Sequence, residues 1–164
     1  MTYRKPQLLG LMKVARGDAG QAIVETAVTL PILILMLLGA FELARVAYAA
    51  TEVTNAARAA AQYGAMNGGG FLDQTGMLAA ANAEAGNLGG SVQWASGYPT
   101  VSCSCSGTGT ASCAAGTDPS GCTTSQLLVT VNVKVQYTMA PIFKVSGLPT
   151  SYTLTGKSSQ GLLQ

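Results

Sequence analysis

Two regimes of hydrophobic patterning divide the chain. Between residues 26 and 41 there is no charged side chain, and residues 32–38 are apolar without a break. With no polar face, that run predicts a helix that is apolar all round. From Leu43 to Ala65 the pattern changes. Val46, Ala49, Ala50, Val53, Ala57, Ala60 and Gly64 recur at three- and four-residue intervals, while Glu52, Asn55, Arg58 and Gln62 fall on another face. This stretch lacks proline and is dense in alanine, the best helix former. One long helix over residues 21–66 is therefore expected. It should end at the link 67–70, Asn67-Gly68-Gly69-Gly70, whose residues suit a left-handed cap and a flexible joint. A stripe of small residues lets another backbone approach closely. It fits bundling with a neighbouring copy as well as it fits the underside of the chain's own globular part.

Beyond the link the periods are shorter. Residues 71–85 predict a second helix with Leu72, Met77 and Leu78 as apolar handles and Asp73 near the positive end of its dipole. Residues 91–95, with Trp94, and 99–105 read as short strands. Residues 127–137 are the clearest strand. Leu127, Val129, Val131, Val133, Val135 and Tyr137 alternate with Leu128, Thr130, Asn132, Lys134 and Gln136, which gives one buried face. After the breakers Pro141 and Gly147-Leu148-Pro149, residues 152–158 predict the last strand. A long helix, a small helix and a short antiparallel sheet make an α+β fold. The expected organisation is a basic leader (1–20), a long helix whose N-terminal half crosses a membrane (21–66), the link, and a small α+β domain (71–164) holding a cysteine-rich loop at 102–125.

Charge supports this layout. Charged residues are 10% of the chain, against about 25% in a typical soluble domain. A net charge of +2 leaves no field suited to nucleic acid. Before Gly20, however, Arg4, Lys5, Lys13 and Arg16 face only Asp18, whereas the basic and acidic residues after Val46 balance. The positive-inside rule then keeps the N-terminus in the cytoplasm and exports the C-terminal part.

The apolar run admits three readings. As a buried core helix it would need a polar face, which it lacks. As a cleavable signal with a cut near Ala47-Tyr48-Ala49, it would have Glu42 and Arg45 interrupting the approach to the site. As a retained span it is short of the ~20 residues usually needed, but Glu25 and Glu42 can bracket it with their side chains at the interfaces. The third reading is adopted. Glu25 then lies at or just inside the hydrocarbon boundary, where ionised groups are costly and usually functional. Pro31 removes one backbone donor within the span and should kink or loosen the helix there.

Gly20-Gln21-Ala22-Ile23-Val24-Glu25, in front of this run, resembles the processing site of type IV pilins and pseudopilins. The wider pattern of Glu25, Ala27, Leu30, Pro31, Gly39, Glu42 and Arg45 resembles TadE-like proteins, minor pseudopilins of the tight-adherence (Flp) pilus system. The chain departs at Thr26, where that family usually has Phe or Tyr. The resemblance covers roughly residues 17–66. It implies cleavage between Gly20 and Gln21 by a prepilin peptidase and an assembly role for Glu25 and Pro31. It also implies other pilins or pseudopilins, an inner-membrane assembly platform and membrane lipid as partners. The location it implies is the inner membrane, with the C-terminal domain exported and a possible place in the pilus. The fold it implies is a long helix with a small sheet on its C-terminal half.

Cys103, Cys105, Cys113 and Cys122 sit in a Gly/Ser/Thr-rich stretch. Their spacing matches no zinc pattern, and the chain has no histidine, so disulfides are expected and no metal or cofactor. Of the three possible pairings, the nested one, Cys103–Cys122 with Cys105–Cys113, closes a hairpin-like loop and is the one favoured. Without histidine, paired carboxylates, a phosphate loop or a nucleophile elbow, no catalytic constellation is visible, and the chain reads as no enzyme. Two functions remain: a processed pseudopilin needed for pilus assembly, as initiator, tip or accessory subunit, or a single-span anchor for an exported binding domain. Glu25 separates them, because a plain anchor has no use for it.

Overall fold

In the computed structural model, the described residues are 18–66, 70–107, 109–113, 120–122, 126–144, 147 and 149–163. The leader up to residue 17, residues 67–69 of the link, Leu148 and much of the cysteine-rich loop lie outside them. After helix α1 (Asp18–Ala65) come a 3-10 turn (Gly70–Leu72), helix α2 (Gln74–Glu84) and a second 3-10 turn (Gly86–Leu88). Strands β1 (Gln93–Trp94), β2 (Thr100–Cys105), β3 (Gly109–Ser112), β4 (Ser120–Cys122), β5 (Leu127–Met139) and β6 (Tyr152–Leu163) follow. The architecture is α+β. The chain divides into two units, Met1–Leu43 and Ala44–Gln164.

Alternation in β5 makes it the spine of the second unit. On one edge it pairs antiparallel with β6 along its whole length, from Leu128↔Leu163 to Met139↔Tyr152. On the other edge it pairs first with β2, Thr100↔Asn132 through Cys105↔Leu127, and then with β1 at Gln93↔Gln136 and Trp94↔Val135. The inward set Leu127, Val129, Val131, Val133 and Val135 meets Val53, Ala56, Ala57, Ala60 and Ala61 of α1 in one core, closed by Phe71, Met77, Ala81, Ala85 and Val92. Period two on the strand and period three-to-four on the helix thus bury one face each. Burying a single Val, Met or Phe stabilises by roughly 1.5–3 kcal/mol, so this core holds the unit together. The small-residue stripe of α1 is therefore the underside of the chain's own sheet. Gly64 belongs to it: a Cβ there would meet Met77 Cε at 2.9 Å and Val131 Cγ1 at 3.1 Å.

Three elements differ from the expectation. The second helix starts at Gln74, not 71, because Asp73 caps it: Oδ1 accepts from Gly76 N–H at 2.8 Å. The last strand runs on to Leu163, since pairing with β5 carries the polar 158–160 along. The hairpin β3–β4 has no hydrophobic alternation to announce it and was not expected.

That hairpin also overturns the nested disulfides. The bonds are Cys103–Cys113 and Cys105–Cys122, with Cα separations of 6.0 and 5.7 Å. The chain turns after Cys105, β3 lies against β2, and β4 pairs back onto β3 with Gly109 opposite Cys122. Gly109 lies beside the Cys105 sulfur. This zigzag places Cys122 at the Cys105 end and carries Cys113 away to Cys103, which gives a crossed pairing where a simple loop would have nested.

Candidate functional site

The N-terminal turns of α1 carry the residues singled out for processing and assembly. Gly20, Gln21, Glu25 and Pro31 are all helical and exposed. Gln21, Glu25 and Thr29 are spaced by four and so share one side of the helix, a short polar stripe in an otherwise apolar surface. Thr29 Oγ1 donates to the Glu25 carbonyl at 2.9 Å, and Thr26 Oγ1 to the Ala22 carbonyl at 2.8 Å. These bonds satisfy the hydroxyls inside the helix, which makes Thr26 tolerable in an apolar setting where an aromatic was expected. The helical assignment runs through Pro31 without interruption.

Glycine at position 20 is not required by the fold. No heavy atom lies within 4 Å of where its Cβ would stand. Glycine inside a helix costs ~0.5–1 kcal/mol relative to alanine. Neither packing nor a left-handed backbone offsets that cost here.

From Ile23 to Leu43 the large apolar side chains are 47% to 72% exposed, except for half-buried Leu38. The helix is long and apolar enough to cross a membrane, by length and composition. Magnitudes fix where its carboxylate can lie. The seven residues 32–38 favour insertion by on the order of 2–4 kcal/mol together, while a carboxylate at the helix centre costs ~2.5–3.5 kcal/mol. Glu25 at the centre would cancel the gain, so it belongs at an end. Seven positions before Ile32, it is at one.

Residues 20–62 match the family model for TadE-like protein. This segment of the chain is similar to TadE-like proteins. The match opens on Gly20 and takes in the polar stripe, the exposed apolar surface and most of the alanine face of α1. The α+β part beyond the link lies outside the TadE-like match. No curated protein and no solved structure matches the chain.

Four features of the second unit escaped the sequence. Tyr63 donates its hydroxyl to Asp73 Oδ2 at 2.9 Å, tying the end of α1 to the cap of α2. The Gly76 amide first, and then this hydroxyl, hold the Asp73 carboxyl below the usual carboxylate range, while Asp73 pushes Tyr63 up. Gly156 of β6 lies so close to α1 that a Cβ would collide with the Val53 carbonyl. Arg45 donates to the Ala140 carbonyl just after β5. Around it Arg45, Tyr48, Asn87, Tyr137 and Met139 line a cleft of about 310 Å³. Only Gly156 had a possible signal, a lone glycine inside a strand pattern. The others depend on residues far apart in sequence. Among the described residues no three of His, Cys, Asp or Glu converge as metal ligands, and all four cysteines are disulfide-bonded.

Proposed function

We propose that the chain is a minor pseudopilin of a tight-adherence (Flp) pilus system, cut after Gly20 by a prepilin peptidase. It then stands in the inner membrane with its α+β part exported, and joins other pilins or pseudopilins at the assembly platform. In this reading it is a structural subunit and a peptidase substrate, not an enzyme. The observation that carries the proposal is Gly20. A helical glycine with empty space around it, at the first residue of the TadE-like match, serves nothing within the fold, yet a peptidase subsite that admits no side chain would need it. Glu25 supports the reading. A carboxylate at the hydrocarbon boundary gains a partner when cleavage releases an α-amino group on the same or a neighbouring subunit. Two disulfides also fit an exported domain.

N-terminal sequencing of protein purified from membranes tests this. The expected first residue is Gln21, and Gly20→Leu should abolish the cut by crowding the subsite. A chain that still starts at Met1, or one that starts near Ala50, would overturn the proposal in favour of a plain anchor or a secreted domain.

A further inference from the structure

The outward face of the sheet sets two lysines directly opposite one another, Lys134 of β5 and Lys157 of β6. Backbone hydrogen bonding fixes how near they are. The Lys134 carbonyl accepts from the Ala95 N–H at 3.0 Å, on the edge of β5 that pairs with β1. A strand residue sends its N–H and C=O to the same side, so Lys134 bonds away from β6. Its pair with Lys157 is then of the non-hydrogen-bonded kind, with Cα atoms about 4.5 Å apart and side chains at their closest. Like charges placed so destabilise a sheet. Nothing in the sheet answers them, since β1, β2, β5 and β6 contain no Asp or Glu. Lysine on an exposed edge strand blocks edge-to-edge pairing, which accounts for Lys157 on β6. It does not account for Lys134. That residue is half-buried on the central strand, its ammonium 5.9 Å from the centre of the Tyr98 ring.

An open groove of about 320 Å³ lies here, lined in part by Tyr98, Asn132, Lys157 and Ser159. Asn132 is held in place, donating to Ser102 Oγ at 3.4 Å and accepting from the Ser159 hydroxyl. That uses one of its two N–H groups. The positions next to the lysines on this face are Asn132, Gln136, Thr155 and Ser159, all polar and uncharged. We infer that this face binds an acidic saccharide. Its carboxylate bridges the Lys134 and Lys157 ammoniums, and its ring hydroxyls meet Asn132 and Ser159. A carboxylate between the ammoniums relieves the repulsion that the sheet leaves, through strong charge-assisted hydrogen bonds. A sugar suits the surroundings because its hydroxyls both donate and accept, as do the amide and hydroxyl side chains here. An acidic peptide would supply the charge, but these side chains give it no apolar anchor. The inference concerns the second unit alone and does not depend on cleavage after Gly20.

The full chain in detergent micelles is titrated with a galacturonate oligomer, its methyl ester, polyglutamate and inorganic phosphate. The galacturonate should bind, more weakly as salt is raised, and the uncharged ester should not. Lys134→Gln and Lys157→Gln should each weaken binding about tenfold. Lys157→Glu separates loss of the ligand from loss of the fold, because it turns the like pair into an opposite one. Its urea midpoint should rise above the wild type's while galacturonate binding is lost. A midpoint that falls would mean that the two ammoniums do not oppose each other, and would overturn the inference. Unchanged binding in either Gln variant would place the ligand elsewhere and overturn it too. Polyglutamate or phosphate bound as tightly as galacturonate would leave a plain cation cluster and no saccharide site. Failure of galacturonate to bind the wild type would end the proposal outright.

Discussion

At Gly156, β6 lies directly against the backbone of α1. A Cβ would sit 2.7 Å from the Val53 carbonyl carbon and 2.9 Å from the Thr54 Cα, so relief requires moving backbone. Overpacking of this kind costs ~1–3 kcal/mol, and a helix that cannot bend away puts Gly156→Ala at the upper end. A fall in the urea midpoint with unchanged m-value would show it, and an unchanged midpoint would mean that α1 and β6 can separate freely. Asp73 is a different kind of residue, one whose charge is used. Its carboxyl lies below the ordinary range because the Gly76 amide and then the Tyr63 hydroxyl favour the ionised form. A depressed native pKa adds stability that is complete above the unfolded-state pKa and lost as pH falls through the native one. Asp73→Asn keeps an oxygen for the cap but cannot titrate. Its stability should therefore fall less steeply with acid than the wild type's. Parallel acid limbs in denaturant titrations would remove Asp73 from the account.

At the scale of elements, the alanine face of α1 and the valine face of β5 explain each other. Side chains this small bring helix and sheet together closely enough that a Cβ at 156 would meet backbone, while one at 64 would meet the movable end of Met77. The hairpin β3–β4 works on another basis. Ala111 and Cys122 are its partly buried apolar contacts with the core, and two disulfides bind it to β2. Closing a loop of 10 or 17 residues contributes on the order of 3 kcal/mol. The crossed pairing makes a sharp prediction. In Cys103→Ser the thiol left for alkylation should be Cys113. Labelling at Cys122 instead would restore the nested arrangement and remove the zigzag of β2, β3 and β4.

For the molecule as a whole, the proposed function requires α1 to have two environments, bilayer and filament. Glu25→Ala should leave export, insertion and disulfide formation intact, because removing a charge near hydrocarbon eases insertion. Glu25 is close to the proposed cut, so the cleaved fraction is measured first. Among cleaved molecules pilus biogenesis should be lost, with the protein stranded in the membrane, since truncating one partner of a desolvated ion pair costs ~3–5 kcal/mol. Normal piliation by fully cleaved Glu25→Ala protein would refute the assembly role.

Sequence by itself determined whatever is encoded by local period and local chemistry. The unbroken apolar run at 32–38 names a helix that is apolar all round, and the three-to-four spacing of small residues to Gly64 and the strict alternation of 127–137 each name an element and its buried face, because helix and strand have fixed repeats. Gly20 and Glu25 were equally visible, since the proposed cut and a carboxylate ahead of an apolar run are linear features. Tertiary structure decided what depends on residues distant in the chain. The alanine stripe could have bound a neighbour, and the valine face of β5 claimed it. Four cysteines allow three pairings by chain order, and the backbone path of a hairpin with no hydrophobic pattern selected the crossed one. Tyr63 with Asp73 and Arg45 on Ala140 carry no local signal, and Gly156 against Val53 shows only as a lone glycine in a strand pattern, because each is a contact between elements that only the closed core brings together.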